Sequence, residues 1–355
     1  MSIDHCDNFS IYGRNPGYMT NGVYADLGES TQLVADPDGI SLGTVLHYDG
    51  GVRNSYNNNL RYIFSEAQNI AGKCLRQWLT GIPGANDVYP ILASFRDLTN
   101  ARIVEVSTNP VGGFRIVNVV AGETYTTVGP AITANAWWHI EIKVQISTGS
   151  IEIRVEGRTV FTATGKNFGV NPIAQEAFAT QNNDRTWGGA AYAKDLVYWD
   201  GSGTQNIDFL GSVLVESIIP NADIDFTWTP TPALDPGYSI LATTPPDDAG
   251  HYLDAPHPAP DPYVCAMTSL TGDITSIKCV MTMVRAAKTD GGDGSLQNGL
   301  ISHPSAGPVT GLGQDRPITT AQTYWRDVFE LDPKTAAPWL PSSVNQAHLQ
   351  INRTT

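Results

Sequence analysis

The sequence predicts an all-β protein of two sandwich-like domains, and three observations predict it. At 355 residues the chain exceeds what one ordinary core encloses, so two compact units are expected. Its 34 Gly, 23 Pro and 8 Trp, with Thr and Val in short runs, favour strands joined by many turns over long helices. Apolar residues alternate with period two through residues 137–163, the periodicity of a half-buried strand.

In that stretch Ile140, Ile142, Val144 and Ile146 alternate, then Ile151, Ile153 and Val155. Ser147-Thr148-Gly149-Ser150 has hairpin length, and Glu156-Gly157-Arg158 turns the chain again into Thr159–Thr162, giving a three-strand antiparallel meander. Glu141, Lys143, Gln145, Glu152, Arg154 and Glu156 make its polar face. Leu75–Leu79, Tyr89–Arg96, Arg102–Val106 and Phe114–Val120 read as earlier strands bounded by Gly, Pro or Asn, and Lys194–Asp200 as a later one. The first domain is therefore placed at residues 1–212.

Nine prolines between Thr229 and Pro262 lack the ladder donor, so residues 213–262 are expected to form an extended connection. A second β domain comes after it at residues 263–355. Val280–Val284 is apolar on both faces and reads as a central, covered strand. Leu296–Ile301, Thr323–Phe329 and His348–Arg353 complete this domain, and no internal repeat or heptad pattern is present.

The run Trp138-His139-Ile140-Glu141-Ile142-Lys143-Val144, a turn, then Ile151-Glu152-Ile153-Arg154-Val155-Glu156-Gly157, resembles the laminin-G or concanavalin A-like jelly roll. Asp195–Trp199 is similar to that family's last strand, which implies pairing with an N-terminal strand within His5–Tyr12. The likeness covers about the first two hundred residues. Asp4-His5, "RAAKTDGGDGSL", "TYWRDVFELDP" and the terminal "INRT" resemble virion structural proteins of tailed bacteriophages over nearly the full length.

A formal net charge of −14 opposes binding to phosphate backbones or anionic lipid, so nucleic acid is not an expected partner. Met1 is followed by Ser2-Ile3-Asp4-His5, without basic or apolar leader regions, and no signal peptide is expected. No stretch approaches the roughly 20 apolar residues of a membrane helix, so membrane insertion is not expected either. Cys6, Cys74, Cys265 and Cys279 show no C-x-x-C spacing and read as free thiols, with a Cys265–Cys279 cross-strand pair as the alternative.

Phosphate-cradling, dinucleotide, zincin, nucleophile-elbow and EF-hand motifs are absent, and the seven His never fall at metal-ligand spacing. Within the concanavalin A-like group some members cleave glycosides with an E-x-D-x-x-E strand. Here Arg154 stands at the Asp position, and Glu152 and Glu156 would lie about 13 Å apart, beyond the roughly 5–9.5 Å of a glycosidase pair. Pairing Ile146 with Ile151 would instead set Glu141 opposite Glu156 at a plausible distance, although a salt-compensated surface explains the same residues. Asp290 and Asp293 read as turn formers that a calcium site could also use. No catalytic residue, metal ligand or cofactor is assigned.

Sugar recognition needs aromatic faces beside Asn, Asp and backbone groups. Two segments carry that mixture: Gln181–Gly189, with Asn182, Asn183, Asp184 and Trp187, and Ser55–Asn59, with Tyr56 and Asn58. Ordinary turns, and a Trp187 that caps the core, explain them as well. Together with the phage resemblance, the expectation is a non-enzymatic virion structural protein, made in the host cytoplasm. It would serve as a tail or head appendage or decoration subunit that contacts host glycan or neighbouring subunits. Its expected partners are other virion proteins, host surface glycan and further copies of itself. A purely structural decoration or tail accessory protein, and a glycoside hydrolase acting on host polysaccharide, are the rival readings.

Overall fold

Strands form where apolar and polar side chains alternate and where turn residues interrupt the run. The computed structural model describes residues 3–9, 12, 19, 23–24, 31–38, 44–49, 60–82, 90–127, 131–178, 189–225, 227–244, 246–255, 261–289 and 291–354. The chain divides into two compact units, Met1–Val215 and Glu216–Thr355.

The first unit contains β1 (Ile3–Asp7), β2 (Thr31–Ala35), β3 (Thr44–Asp49), β4 (Leu60–Gln68), β5 (Ile70–Leu79), β6 (Ile91–Arg96) and β7 (Arg102–Thr108). It continues with β8 (Phe114–Asn118), β9 (Glu123–Thr126), β10 (Trp137–Gln145), β11 (Ser150–Val155), β12 (Arg158–Ala163), β13 (Ile173–Phe178) and β14 (Ala190–Trp199). One antiparallel sheet runs β12-β11-β10-β5-β14-β3-β2 with β1 added beside β14, and the other runs β4-β13-β6-β7-β8-β9. This is the expected jelly-roll sandwich. The alternation read from sequence points Ile140, Ile142, Val144, Ile151, Ile153 and Val155 inward, where they are buried, as are Phe95, Val104, Val106 and Ile116 of the second sheet.

Turn chemistry fixes the meander. Glu156 and Gly157 both take positive φ, 49° and 75°, the pair a two-residue type I′ hairpin requires between β11 and β12. As the jelly-roll resemblance implied, the N-terminal strand returns to the last one, although it runs Ile3–Asp7 rather than within His5–Tyr12: Ile3 pairs with Trp199 and His5 with Tyr198. The core between the sheets also holds polar groups. His5, Tyr62 and Tyr198 stack in sequence, with ring centroids 5.3 and 4.4 Å apart, while Tyr12 and Tyr24 donate to Asp7 and Tyr62 donates to Asp4.

The second unit contains β15 (Pro220–Asp225), β16 (Thr229–Thr231), α1 (Gly237–Leu241), β17 (Tyr252–Asp254), β18 (Tyr263–Met267), β19 (Val280–Ala286) and β20 (Ser295–Ser302). Then come β21 (Val309–Leu312), β22 (Arg316–Pro317), β23 (Thr323–Phe329), α2 (Pro341–Val344) and β24 (His348–Arg353). Its main sheet is ordered β15-β18-β24-β20-β21, with β22 on β20, and β19 and β23 form a separate ribbon. Trp228, Tyr263, Cys265, Val284, Leu296, Leu349 and Ile351 build the core, with Trp325 packed against it.

Two expectations are corrected in this unit. Residues 213–262 are more than a connection: β15 pairs with β18, and β16 with β17. Asp223 on β15 accepts the N–H groups of Gly237 and Tyr238 and the Tyr263 hydroxyl, fastening the proline-rich segment to the sheet. Val280–Val284 is not a central strand either, because among the described residues β19 pairs only with β23. Val280, Val284 and Ala286 share one face and pack against two core clusters, Val284 and Ala286 with the first and Val280 with a second around Leu300 and Trp339, while Met281 and Met283 on the other face are half-buried. All four cysteines are free thiols.

Candidate functional site

The six glycan candidates Tyr56, Asn58, Asn182, Asn183, Asp184 and Trp187 lie outside the described residues, as does Asp290. The strands flanking the two glycan segments are described, and their registers are informative. Asp49, which ends β3, pairs with Ala190, which begins β14. Leu60, which begins β4, pairs with Phe178, which ends β13. Both segments therefore bridge the same two sheets, and their attachment points are immediate neighbours at each end. Composition alone selects each of the two segments independently of the other.

On the larger sheet, the same end carries a transverse row of side chains on the face turned away from the second sheet. Cross-strand register aligns Trp137 with Trp78, Trp78 with Tyr192, Tyr192 with His47, and His47 with Gln32. The strand period puts them on one face, because Leu79, Gln77, Leu75 and Lys73 alternate with them toward the core. Five adjacent strands contribute, spanning about 19 Å at about 4.8 Å per strand. Trp78 and Trp137 meet edge-on at 5.8 Å, and His47 and Tyr192 lie 4.8 Å apart. All four aromatic rings are half-buried. Trp137 Nε1 donates to Asp36 Oδ1 at 3.2 Å, while Lys194 Nζ lies 4.2 Å from the Trp137 ring centroid and 2.5 Å from Asp36 Oδ2. The indole and the ammonium are thereby held in fixed orientations.

The next row is His139, Arg76 and Lys194. His139 is fully buried and neither ring nitrogen has a hydrogen-bond partner. Burial, and then the Arg76 guanidinium, push its pKa down to about 4. Arg76 Nε stands 3.2 Å from Asp195 Oδ2 without hydrogen-bond alignment, and its terminal nitrogen donates to Ser212 Oγ at 3.1 Å.

Beyond that row the face is covered by residues 208–215. Glu141 Oε1 accepts the N–H groups of Leu210 and Gly211 at 2.7 and 3.0 Å, and Asp195 Oδ1 accepts that of Val215 at 3.0 Å. Lys143 pairs with Asp208 at 2.6 Å, and Phe209 lies beneath Arg154 and Lys143 at 3.7 and 4.7 Å from its centroid. Burial raises the Glu141 and Asp195 pKa values, against the opposing pull of these hydrogen bonds.

The possible carboxylate pair of Glu141 and Glu156 is not formed. Gln145 pairs with Ser150, so Glu141 faces Arg154, and Glu156 instead accepts the His139 N–H at 2.7 Å. The register differs by two residues because the turn spans Ile146–Gly149, closed by the Gly149 N–H to Ile146 O bond with Gly149 at φ 59°. Among the described residues no group of three or more His, Cys, Asp or Glu is placed to hold a metal ion, and no helix is long and apolar enough to cross a membrane.

No protein-family model and no curated protein matches this chain. Solved structures share a low-level likeness. A sialidase matches at 14% identity over 56% of this chain and 18% of its own, with a TM-score of 0.39. The cellulose induced protein Cip1 matches at 12% identity over 55% of this chain and 96% of its own, with a TM-score of 0.40. The binding domain of Paraclostridial Mosquitocidal Protein 1 matches at 12% identity over 56% of this chain and 49% of its own, with a TM-score of 0.39. This chain thus spans less than a fifth of that sialidase and about half of that binding domain.

The aromatic row is not evident from sequence. Its members are scattered from His47 to Tyr192 and meet only through strand pairing. A usable signal is nevertheless present, since Trp78 and Trp137 occupy polar-face positions of their strands.

Proposed function

We propose that the first unit is a glycan-binding module, and that the chain is a non-enzymatic virion structural protein of a tailed phage, acting as an appendage or decoration subunit. The observation that carries the glycan reading is the row Trp137–Trp78–Tyr192–His47, placed where both Asn-rich segments attach. Aromatic faces take the apolar faces of pyranose rings, while Gln32 and the Asn residues of the two segments supply hydroxyl partners. Arg76 and Lys194 are each neutralised by a carboxylate, which suits a neutral glycan better than an anionic one. The phage assignment rests on the resemblance of the sequence to virion structural proteins.

Titrating the full chain with purified host polysaccharides, read by tryptophan fluorescence and by melting temperature, tests the proposal. One polysaccharide should raise the melting temperature by mass action. Trp78→Ala and Trp137→Ala should each weaken binding by about 1–2 kcal/mol, roughly 5- to 30-fold in Kd. If no polysaccharide moves either signal while the chain binds empty capsids or tails saturably, the purely structural reading replaces this one. Release of reducing ends would replace it with the glycosidase reading.

A further inference from the structure

The core of the first unit holds a buried lysine–glutamate pair that the glycan reading does not use. Lys73 lies mid-strand on β5, and Glu176 lies on β13 of the opposing sheet, 103 positions away in sequence. Both side chains are fully buried. Lys73 Nζ is 2.9 Å from Glu176 Oε1 and also donates to Leu92 O at 2.7 Å. The buried Tyr198 hydroxyl donates to Glu176 Oε2 at 2.7 Å. Two ions in such a place lose several kcal/mol each in hydration. Burial is the leading influence on both groups, bringing Lys73 down to about 8 and raising Glu176, and so disfavours the charge on each. Passage of one ammonium proton to the carboxylate along the 2.9 Å contact leaves a free amine touching a neutral carboxyl, held in one orientation away from water, an arrangement in which proximity replaces chemical activation.

We infer that Lys73 and Glu176 condense into an isopeptide bond that joins the two sheets covalently. The Nζ lone pair attacks Cδ of the protonated carboxyl, and the Tyr198 hydroxyl, bonded to Oε2, stabilises the charge that develops there. The Cδ–Oε1 bond then breaks, and Oε1 leaves as water with its own proton and one amine proton. The product is a neutral secondary amide. Atoms balance with the loss of one water, and no oxidant or cofactor takes part.

Mass spectrometry of the denatured full chain reads the result directly. The wild-type mass should fall one water below the sequence mass, with or without Met1. Trypsin should then yield a branched peptide joining residues 62–76 to residues 167–185, because cleavage after Lys73 is blocked. Glu176→Gln should form the same amide by losing ammonia, Lys73→Met should show the unaltered sequence mass, and Tyr198→Phe should slow the reaction. A natively folded wild-type chain that keeps its full mass on prolonged incubation, and releases a free peptide ending at Lys73, overturns the inference whatever the variants do.

Discussion

Single residues in the first unit are set against their solvation preferences, and this makes pH a direct probe of them. His139 titrates near 6.5 when exposed and at about 4 when folded. Between those values the unfolded chain binds the extra proton, so acidification from pH 6.5 to pH 4 removes stability, by up to about 3 kcal/mol. Glu141 and Asp195 act with the opposite sign, since burial raises them and their neutral forms favour the folded state at low pH. Urea midpoints of wild type and His139→Phe across this range separate the contributions. The variant should lose distinctly less stability on acidification, and parallel curves for the two proteins would remove His139 from the account. Gly72 is a second residue under constraint, because a Cβ there would overlap the Trp199 indole. That close approach permits β5 and β14 to pair beside so large a ring.

Among the elements, the covering segment 208–215 is the one whose hold on its sheet rests on few side chains. Phe209 fills the space over Arg154, Lys143 and Trp199, while Glu141 collects two backbone N–H groups. Phe209→Ala should cost about 1–3 kcal/mol and speed hydrogen exchange at the Leu210 and Gly211 amides. Unchanged exchange there would show that Glu141 alone suffices. The meander β10–β12 was legible in sequence, because one buried face leaves period two as the only workable pattern. Its register was not, since Gly149 adopts the left-handed region and the turn starts one residue earlier than Ser147. The burial of Lys73 was equally hidden. A lysine between Gly72 and Cys74 carries no local mark that a carboxylate from β13 will reach it.

For the whole chain, the division after Val215 predicts two cooperative transitions in calorimetry. Residues 1–215 produced alone should keep the first of them together with glycan binding, and a fragment that binds nothing while remaining folded would move the site out of the first unit. The proline-rich stretch belongs to the second unit in this scheme, through β15 and Asp223, so a fragment of residues 263–355 alone should be unfolded by circular dichroism. The doubled register that ties Asp49 to Ala190 and Leu60 to Phe178 has a further consequence. Closure entropy grows slowly with length, so either bridging stretch tolerates insertion or replacement while the paired strand ends keep its endpoints fixed. Both stretches are thus exchangeable together, as one cassette on an unaltered frame.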